Sequence, residues 1–303
     1  MKALPGGESR PLENAEVSGA NPIVLQNAIA SKKRRCIILG MRNITKKALV
    51  LAIISLFLGA NSVFATPASF ALPGSANEVA ENVFYLGKSY DTQSEKMVEG
   101  YAIVHRKDAY AKPNFVKGPK APKCYAVMAS GAKWKTVEPW EVFAGAGLTE
   151  EFLIENIMAD ISTWESAAGT QNILGWGSIG TGAITDPNIL DNKNQVSFAN
   201  LESGTIAVTI VWGIFGGPTF NRELVAWDQI YNTDFEWTED ALIEPSKMDF
   251  WNIAIHELGH SMGLADIYNT SCSSVTMYGY GTEGETSKRT LESADIMGIN
   301  TLY

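Results

Sequence analysis

Two histidines, a glutamate, a glycine and an aspartate at fixed spacing constrain this chain more than any other feature. They read His256-Glu257-x-x-His260-x-x-Gly263-x-x-Asp266. Residues four apart lie on one face of a helix, so a helix through this segment brings both imidazoles to one ion. Zinc binds imidazole nitrogen and prefers four ligands. The spacing therefore predicts a zinc site, with a helix carrying two surface histidines as the alternative.

The other motif residues suit distinct parts in such a site. Glu257 follows His256 by one residue and is rotated by about 100° around the helix, so it can flank the ion as a general base without binding it. Gly263 can adopt positive φ, end the helix and turn the chain back beneath the ion. The chain has three histidines, and we expect the third, His105, to be a surface or linker residue. The third ligand must then be a carboxylate, for which Asp266 is the natural candidate.

The sequence resembles the metzincin zinc peptidases, and among them the matrixins. The first similarity is the motif itself, and the second is Thr276-Met277-Tyr278, which begins ten residues after Asp266 and is similar to the family's Met-turn. The third is the ending, residues 291–303, which is similar to the matrixin closing helix Leu-x-x-Asp-Asp-Ile-x-Gly-Ile-x-x-Leu-Tyr, with Asp295 on its second acid. The resemblance covers residues 123–303.

The resemblance implies a zinc-dependent endopeptidase that hydrolyses peptide bonds of extended protein substrates. It implies a metzincin-like catalytic domain with an active-site helix, a backing helix and a C-terminal helix. Residues 204–213 are the best candidate for the edge strand that the family pairs with substrate, a buried central strand being the alternative. The residues it assigns are the ligands His256, His260 and Asp266, the general base Glu257 acting on zinc-bound water, and the structural residues Gly263, Met277, Tyr278 and Asp295.

The sequence departs from the family pattern at three places. Most matrixins have His where this chain has Asp266, and Gly279 replaces the Pro that follows the family's Met-Tyr pair. Residues 122–125, Pro-Lys-Cys-Tyr, have only a faint similarity to the Pro-Arg-Cys-Gly cysteine switch. That similarity leaves open a latent form in which the Cys124 thiolate caps the zinc.

Three alternatives remain at this stage. A different zinc-peptidase class would take its third ligand from a later glutamate, for which Glu283, Glu285 and Glu292 are available. The fold could also serve a catalytically silent binding module, although such relatives typically lose the base or a ligand. A zinc amidase of another fold is the third alternative, which the Met-turn similarity disfavours.

The N-terminal third of the chain predicts export. Residues 48–60 are a thirteen-residue apolar run, short of the roughly 20 residues that span a bilayer. Basic residues precede this run and a small-x-small exit ends at Ala65, which is typical of a secretory signal peptide over residues 41–65. We therefore expect a secreted protein, with anchoring by an uncleaved signal as the alternative. Residues 1–40 would be a mis-assigned extension, and residues 66–122 a linker or short pro-segment before the catalytic domain, residues 123–303.

Cysteine usage agrees with export. Cys36 precedes the predicted signal, which leaves Cys124 and Cys272 in the mature chain. Two cysteines in an exported protein are most simply one disulfide. Two free buried thiols are the alternative.

Charge excludes one class of partner. Residues 66–303 hold 15 basic and 30 acidic residues, and nucleic-acid binding requires clustered cations. We expect a monomer whose partner is a protein or peptide substrate, with membrane contact only through an uncleaved signal. Calcium could bind acidic loops, although none matches a known calcium motif. Those candidates are Asp186, Asp191, Asn192, Asp228 and Asp234.

Residue periodicity predicts an α+β fold. Helices are expected over residues 149–168, from near residue 248 through the motif, and over residues 289–302. Separated apolar runs predict a twisted mixed sheet of about five strands. These runs are residues 134–143, 172–179, 195–201, 204–213 and 224–232.

Overall fold

A nine-stranded mixed sheet is the centre of the computed structural model, which describes residues 68–107, 123–170 and 172–303. The predicted extension, residues 1–40, and the predicted signal peptide, residues 41–65, lie outside these residues. Among the residues that the structure describes, none of the helices has the length and apolarity needed to cross a bilayer.

The strands are numbered here in chain order. They are β1 (Asn77–Ala80), β2 (Val83–Asp91), β3 (Lys96–Lys107), β4 (Ala126–Val127), β5 (Trp140–Val142), β6 (Gly177–Ile179), β7 (Gln195–Ala199), β8 (Thr205–Ile214), β9 (Glu223–Asn232), β10 (Trp237–Thr238), β11 (Met248–Asp249), β12 (Leu264–Ala265) and β13 (Tyr280–Gly281). The main sheet has the order β1-β2-β3-β8-β9-β7-β5-β6, and β13 pairs with β3. Two small ribbons, β10-β11 and β12-β4, lie outside it.

Three helices confirm the helical part of the α+β prediction. They are α1 (Glu150–Ala168), α2 (Phe250–Ser261) and α3 (Ser293–Ile299). Thr149 caps α1 by accepting a hydrogen bond from the Phe152 amide, and Gly169 ends it with a φ of 67°, as expected for a left-handed cap. Trp164 of α1 donates a hydrogen bond to the Ile255 carbonyl of α2 at 2.8 Å, so α1 is the backing helix of the motif helix.

β8 lies inside the sheet rather than at its edge. It pairs antiparallel with β3 on one side and with β9 on the other, and nine of its ten residues are buried. The prediction that residues 204–213 form an edge strand is therefore wrong for this structure. A continuous apolar run is typical of a strand covered on both faces, and both faces of β8 contact apolar clusters.

The N-terminal strands add to the sheet. Within residues 66–122, interpreted above as a linker or short pro-segment, residues 77–107 form β1, β2 and β3 and belong to the same compact unit as the motif residues. The interpretation as a linker or pro-segment stays a prediction. Val98, Ala102 and Val104 of β3 are at most 3% exposed. The main sheet therefore has nine strands where about five were expected.

The structure joins Cys124 and Cys272 in a disulfide, the pairing expected for an exported chain. Cys272 ends a 3-10 turn, Thr270–Cys272, which lies between the motif and the Met-turn. Cys124 precedes β4, which pairs with β12 next to Asp266. The disulfide therefore ties the start of the catalytic region to the loop beside the motif.

We predict that the double variant C124S/C272S unfolds more easily than the wild type. The bond closes a segment with a sequence separation of 148, for which chain-entropy estimates give roughly 4–5 kcal/mol. Urea unfolding of the mature protein measures this difference, and wild type under reductant should match the double variant. Equal urea midpoints in all three samples would contradict the prediction.

Candidate metal centre

Helix α2 places the two motif histidines side by side in the interior. Asp249 caps the helix by accepting a hydrogen bond from the Asn252 amide at 2.8 Å. His256 and His260 follow one turn apart, both with 0% exposure. Their Nε2 atoms lie 3.1 Å from each other, as the four-residue spacing predicts.

Backbone carbonyls fix the orientation of both rings. His256 Nδ1 lies 2.7 Å from the Thr276 carbonyl oxygen, and His260 Nδ1 lies 3.0 Å from that of Leu264. A carbonyl oxygen only accepts, so each Nδ1 carries the proton and each Nε2 presents a lone pair. The two lone pairs therefore face the same small space.

Gly263 and the turn after it bring a carboxylate to that space. Gly263 has a φ of 102°, and a Cβ there would lie 3.0 Å from the Ala132 carbonyl oxygen, so the turn requires glycine. Asp266 Oδ1 lies 3.2 Å from His256 Nε2 and 3.4 Å from His260 Nε2. This oxygen is buried and has no hydrogen-bond partner. Two nitrogen lone pairs and an unpartnered carboxylate oxygen form a donor set that fits a divalent cation.

The charges of the three residues are strongly coupled. Burial lowers the pKa of His256 to about 4. Burial also opposes ionisation of Asp266, but the two imidazoles hold its pKa well below the usual range. Burial likewise disfavours charge on His260, whereas the Asp266 carboxylate raises the pKa of His260 to about 9. At neutral pH His260 Nε2 therefore holds a proton that a bound cation would displace to reach the lone pair. Asp266 thus remains an anion at neutral pH, which favours a bound cation.

Glu257 lies beside these three residues. Its side chain is fully buried, with Oε2 accepting from the Thr209 hydroxyl at 2.5 Å and Oε1 lying 2.8 Å from His105 Nδ1. Burial raises the pKa of Glu257. His105, Glu257 and His256 also form a second group of residues with converging ligand atoms.

His105 corrects the expectation of a surface or linker residue. It is 0% exposed, and its ring centroid lies 4.0 Å from that of His256. Burial lowers the pKa of His105 to about 3, so the neutral ring donates from Nδ1 to Glu257. The period of two in a strand puts Tyr101, Ile103 and His105 of β3 on one face. That alternation is the only sequence signal that points to His105.

The Met-turn segment lies directly beneath α2. Met277 is 1% exposed, and a Cβ on Gly259 would lie 2.2 Å from its Sδ, so Met277 packs directly against the helix at Gly259. Asp295 accepts hydrogen bonds from the amides of Thr276, Met277 and Glu292. The structure thus places Asp295 where it holds the turn. Tyr278 is 9% exposed and packs in the apolar cluster that contains Cys272.

Tyr268 orients the carboxylate of Asp266. Its hydroxyl lies 2.8 Å from Asp266 Oδ2 and 3.2 Å from Asn82 Nδ2. The Tyr268 ring occupies the space beside Gly279, where a Cβ would lie 2.4 Å from the ring and 2.9 Å from the Asp266 carboxylate. This crowding explains glycine at the position where the family has proline.

The glutamates considered as alternative third ligands do not lie at the histidine pair. Glu283 accepts from Lys107 and Glu285 from Lys288, and Glu292 caps α3. Neither group of converging ligand atoms found in the described ranges contains any of these three glutamates. The same holds for the calcium candidates Asp186, Asp191, Asp228 and Asp234, and calcium binding stays a prediction.

We predict that Gly279→Ala destabilises the protein by roughly 1–3 kcal/mol, the usual cost of overpacking. The added methyl group must displace the Tyr268 ring or the Asp266 carboxylate. Gly182→Ala is the matched control, because nothing lies within 4 Å of a Cβ there. Thermal unfolding of both variants measures the difference, and equal midpoints would contradict the packing argument.

Comparison with known proteins is consistent with this geometry. Residues 195–303, just over a third of the chain, match the family model described as matrixin. No curated protein matches the sequence significantly. Among solved structures, metalloproteinase-II from Bacteroides fragilis is 9% identical, with a TM-score of 0.33, over 74% of this chain and 78% of that chain. Residues 195–303, which carry the motif, the Met-turn and the closing helix, are therefore similar to the matrixin family of metallopeptidases.

Proposed function

We propose that this protein is a secreted zinc endopeptidase that cleaves extended segments of other proteins. In this proposal His256, His260 and Asp266 hold the zinc ion, and Glu257 is the general base. The observation that carries it is the convergence of two Nε2 lone pairs on the unpartnered Asp266 Oδ1.

The donor set favours zinc over harder cations. Two imidazoles and one carboxylate are borderline-soft donors, whereas magnesium and calcium prefer oxygen ligands alone. Three protein ligands leave one position open, as in catalytic rather than structural zinc sites. Bound there, zinc would polarise a scissile carbonyl and lower the pKa of water.

Glu257 is positioned to accept a proton from the attacking water. It follows the ligand His256 directly and reaches the same space without belonging to the His256-His260-Asp266 group. A buried carboxylate with a raised pKa accepts a proton from water more readily near neutral pH. In the proposed reaction Glu257 takes this proton as water attacks the carbonyl, and then delivers it to the leaving nitrogen.

Export and substrate class rest on separate observations. A disulfide between Cys124 and Cys272 suits an oxidising compartment. Cleavage of extended segments is proposed from the similarity of residues 195–303 to the matrixins. A silent binding module is disfavoured, since the base and all three ligands are present. Loss of casein cleavage on chelation, with recovery on adding zinc, tests the proposal.

We predict that Glu257→Gln keeps the fold and the zinc but lowers kcat by 10²-fold or more. The amide has nearly the same shape and cannot accept the proton, and general-base catalysis typically contributes 10²–10⁴-fold. Glu244→Gln, an exposed carboxylate paired with Lys247, is the control. Casein cleavage and zinc content are measured together. A Glu257→Gln enzyme with wild-type kcat would remove the base assignment.

We predict that Asp266→Ala loses zinc far more readily than Glu283→Ala or Glu292→Ala. Of these three carboxylates, Asp266 is the one with an oxygen within 3.5 Å of both histidine Nε2 atoms. Zinc retained during dialysis against a series of chelator concentrations measures the difference. Zinc loss in Glu292→Ala instead would favour the rival peptidase class.

A further inference from the structure

Thr209 places a hydroxyl inside an apolar stretch of β8. Residues 206–212 read Ile-Ala-Val-Thr-Ile-Val-Trp, and Thr209 has 0% exposure. Side chains alternate between the two faces of a strand, so Ala207 and Val211 share the face of Thr209. Both belong to the apolar cluster that also contains residues of α2. Burial of a hydroxyl is costly without a hydrogen-bond partner, so the partner of Thr209 indicates what its hydroxyl does.

That partner is Glu257. Thr209 Oγ1 lies 2.5 Å from Glu257 Oε2 and donates its proton to it, because an ionised carboxylate only accepts. This distance is typical of a hydrogen bond from a hydroxyl to a carboxylate. The other oxygen, Oε1, lies 2.8 Å from His105 Nδ1. The two oxygens of Glu257 are thus contacted from two neighbouring strands, β8 and β3.

The backbone of Glu257 is also held from the sheet. Ser261 Oγ donates to the Glu257 carbonyl at 3.3 Å and accepts from Gln229 Nε2 at 2.9 Å. Tyr231 in turn donates to Gln229 Oε1 at 2.8 Å. Gln229 lies opposite Thr209 in the pairing of β8 with β9. These polar residues, all with 0% exposure, fix α2 on the sheet, and among them Thr209 contacts the Glu257 side chain.

We propose that Thr209 is a positioning residue that holds the Glu257 carboxylate in the orientation in which it takes the proton from the attacking water. This inference rests on the proposed function and adds a residue to it. Without the hydroxyl, Oε2 loses its donor and the carboxylate is free to rotate. Proton transfer requires the base to lie within hydrogen-bond reach of the water, and small misplacements lower the rate. The loss should therefore fall on kcat rather than on KM.

Thr209 separates the base from the proposed ligands better than His105 does. The His105 ring centroid lies 4.0 Å from that of His256, so a substitution at His105 disturbs a ligand and the base together. A substitution at Thr209 removes a contact of the base and leaves the Nδ1 hydrogen bonds of His256 and His260 in place.

Three variants isolate the hydroxyl. Thr209→Val removes it and keeps the branched shape, whereas Thr209→Ser keeps it. Thr205→Val is the matched control, because Thr205 lies on the same strand, is 2% exposed and pairs through its hydroxyl with Arg106 at 2.8 Å. This control measures what the loss of a buried β8 hydroxyl costs when Glu257 is not its partner.

Casein cleavage gives kcat and KM, and zinc content and urea unfolding are measured on the same samples. We expect kcat of Thr209→Val to fall about tenfold or more, the usual effect of losing a hydrogen bond to a charged group. KM and zinc content should stay within about twofold of wild type. Thr209→Ser should recover most of kcat, and Thr205→Val should keep it. Wild-type kcat in Thr209→Val, or equal losses in Thr209→Val and Thr205→Val, would overturn the inference.

A double-mutant cycle with Glu257→Gln tests whether Thr209 acts through the base. In Glu257→Gln the base is already lost, so adding Thr209→Val should change the residual kcat by less than about twofold. A tenfold loss in both backgrounds would show a general structural effect and overturn the inference. A wild-type protein that binds zinc but cleaves no casein would instead overturn the proposed peptidase function, and this inference with it.

Discussion

The structure depends on the convergence of His256 Nε2, His260 Nε2 and Asp266 Oδ1 in a space closed to water. Unpaired polar atoms are costly to bury, so each one must be held in place by other contacts. The Thr276 and Leu264 carbonyls hold the imidazoles through Nδ1. Asp295 in turn holds the Thr276 and Met277 amides. The Met-turn and the closing helix are therefore the supports of the histidine pair rather than separate features.

The buried side chain of Lys288 provides a further set of contacts around helix α2. Lys288 is 0% exposed, and its ammonium donates to the Tyr280 carbonyl and to Glu285. Its backbone amide donates to Asn252 of α2 at 2.8 Å. Lys288 thus connects the motif helix to β13, which pairs with β3. Removing one partner of a buried ion pair leaves the other charge uncompensated, so the surroundings of Lys288 tolerate substitution poorly.

The features that the sequence predicted depend on residues close together in the chain. The features that it missed depend on contacts between residues far apart in the chain. The motif lies within eleven residues, and its helix, turn and ligand spacing follow from local geometry, so these could be stated in advance. The matrixin resemblance and the α+β class, which the family match and the sheet support, rest on such local patterns. His105 meets Glu257 across 152 positions, through the register of β3 on β8. One sequence does not specify which strands become neighbours, so the position of β3, and with it the contact of His105 with Glu257, could not be predicted.

Asp266, Tyr268 and Gly279 behave as one unit, which gives the departures from the family pattern a common physical reason. An aspartate with one oxygen toward the histidines needs a donor for the other oxygen, and Tyr268 supplies it at 2.8 Å. The Tyr268 ring then takes the volume that a side chain at position 279 would fill. The same hydroxyl contacts Asn82, in the turn between β1 and β2. Asp266, where the sequence departs from most matrixins, is therefore connected through the Tyr268 hydroxyl to the turn between β1 and β2.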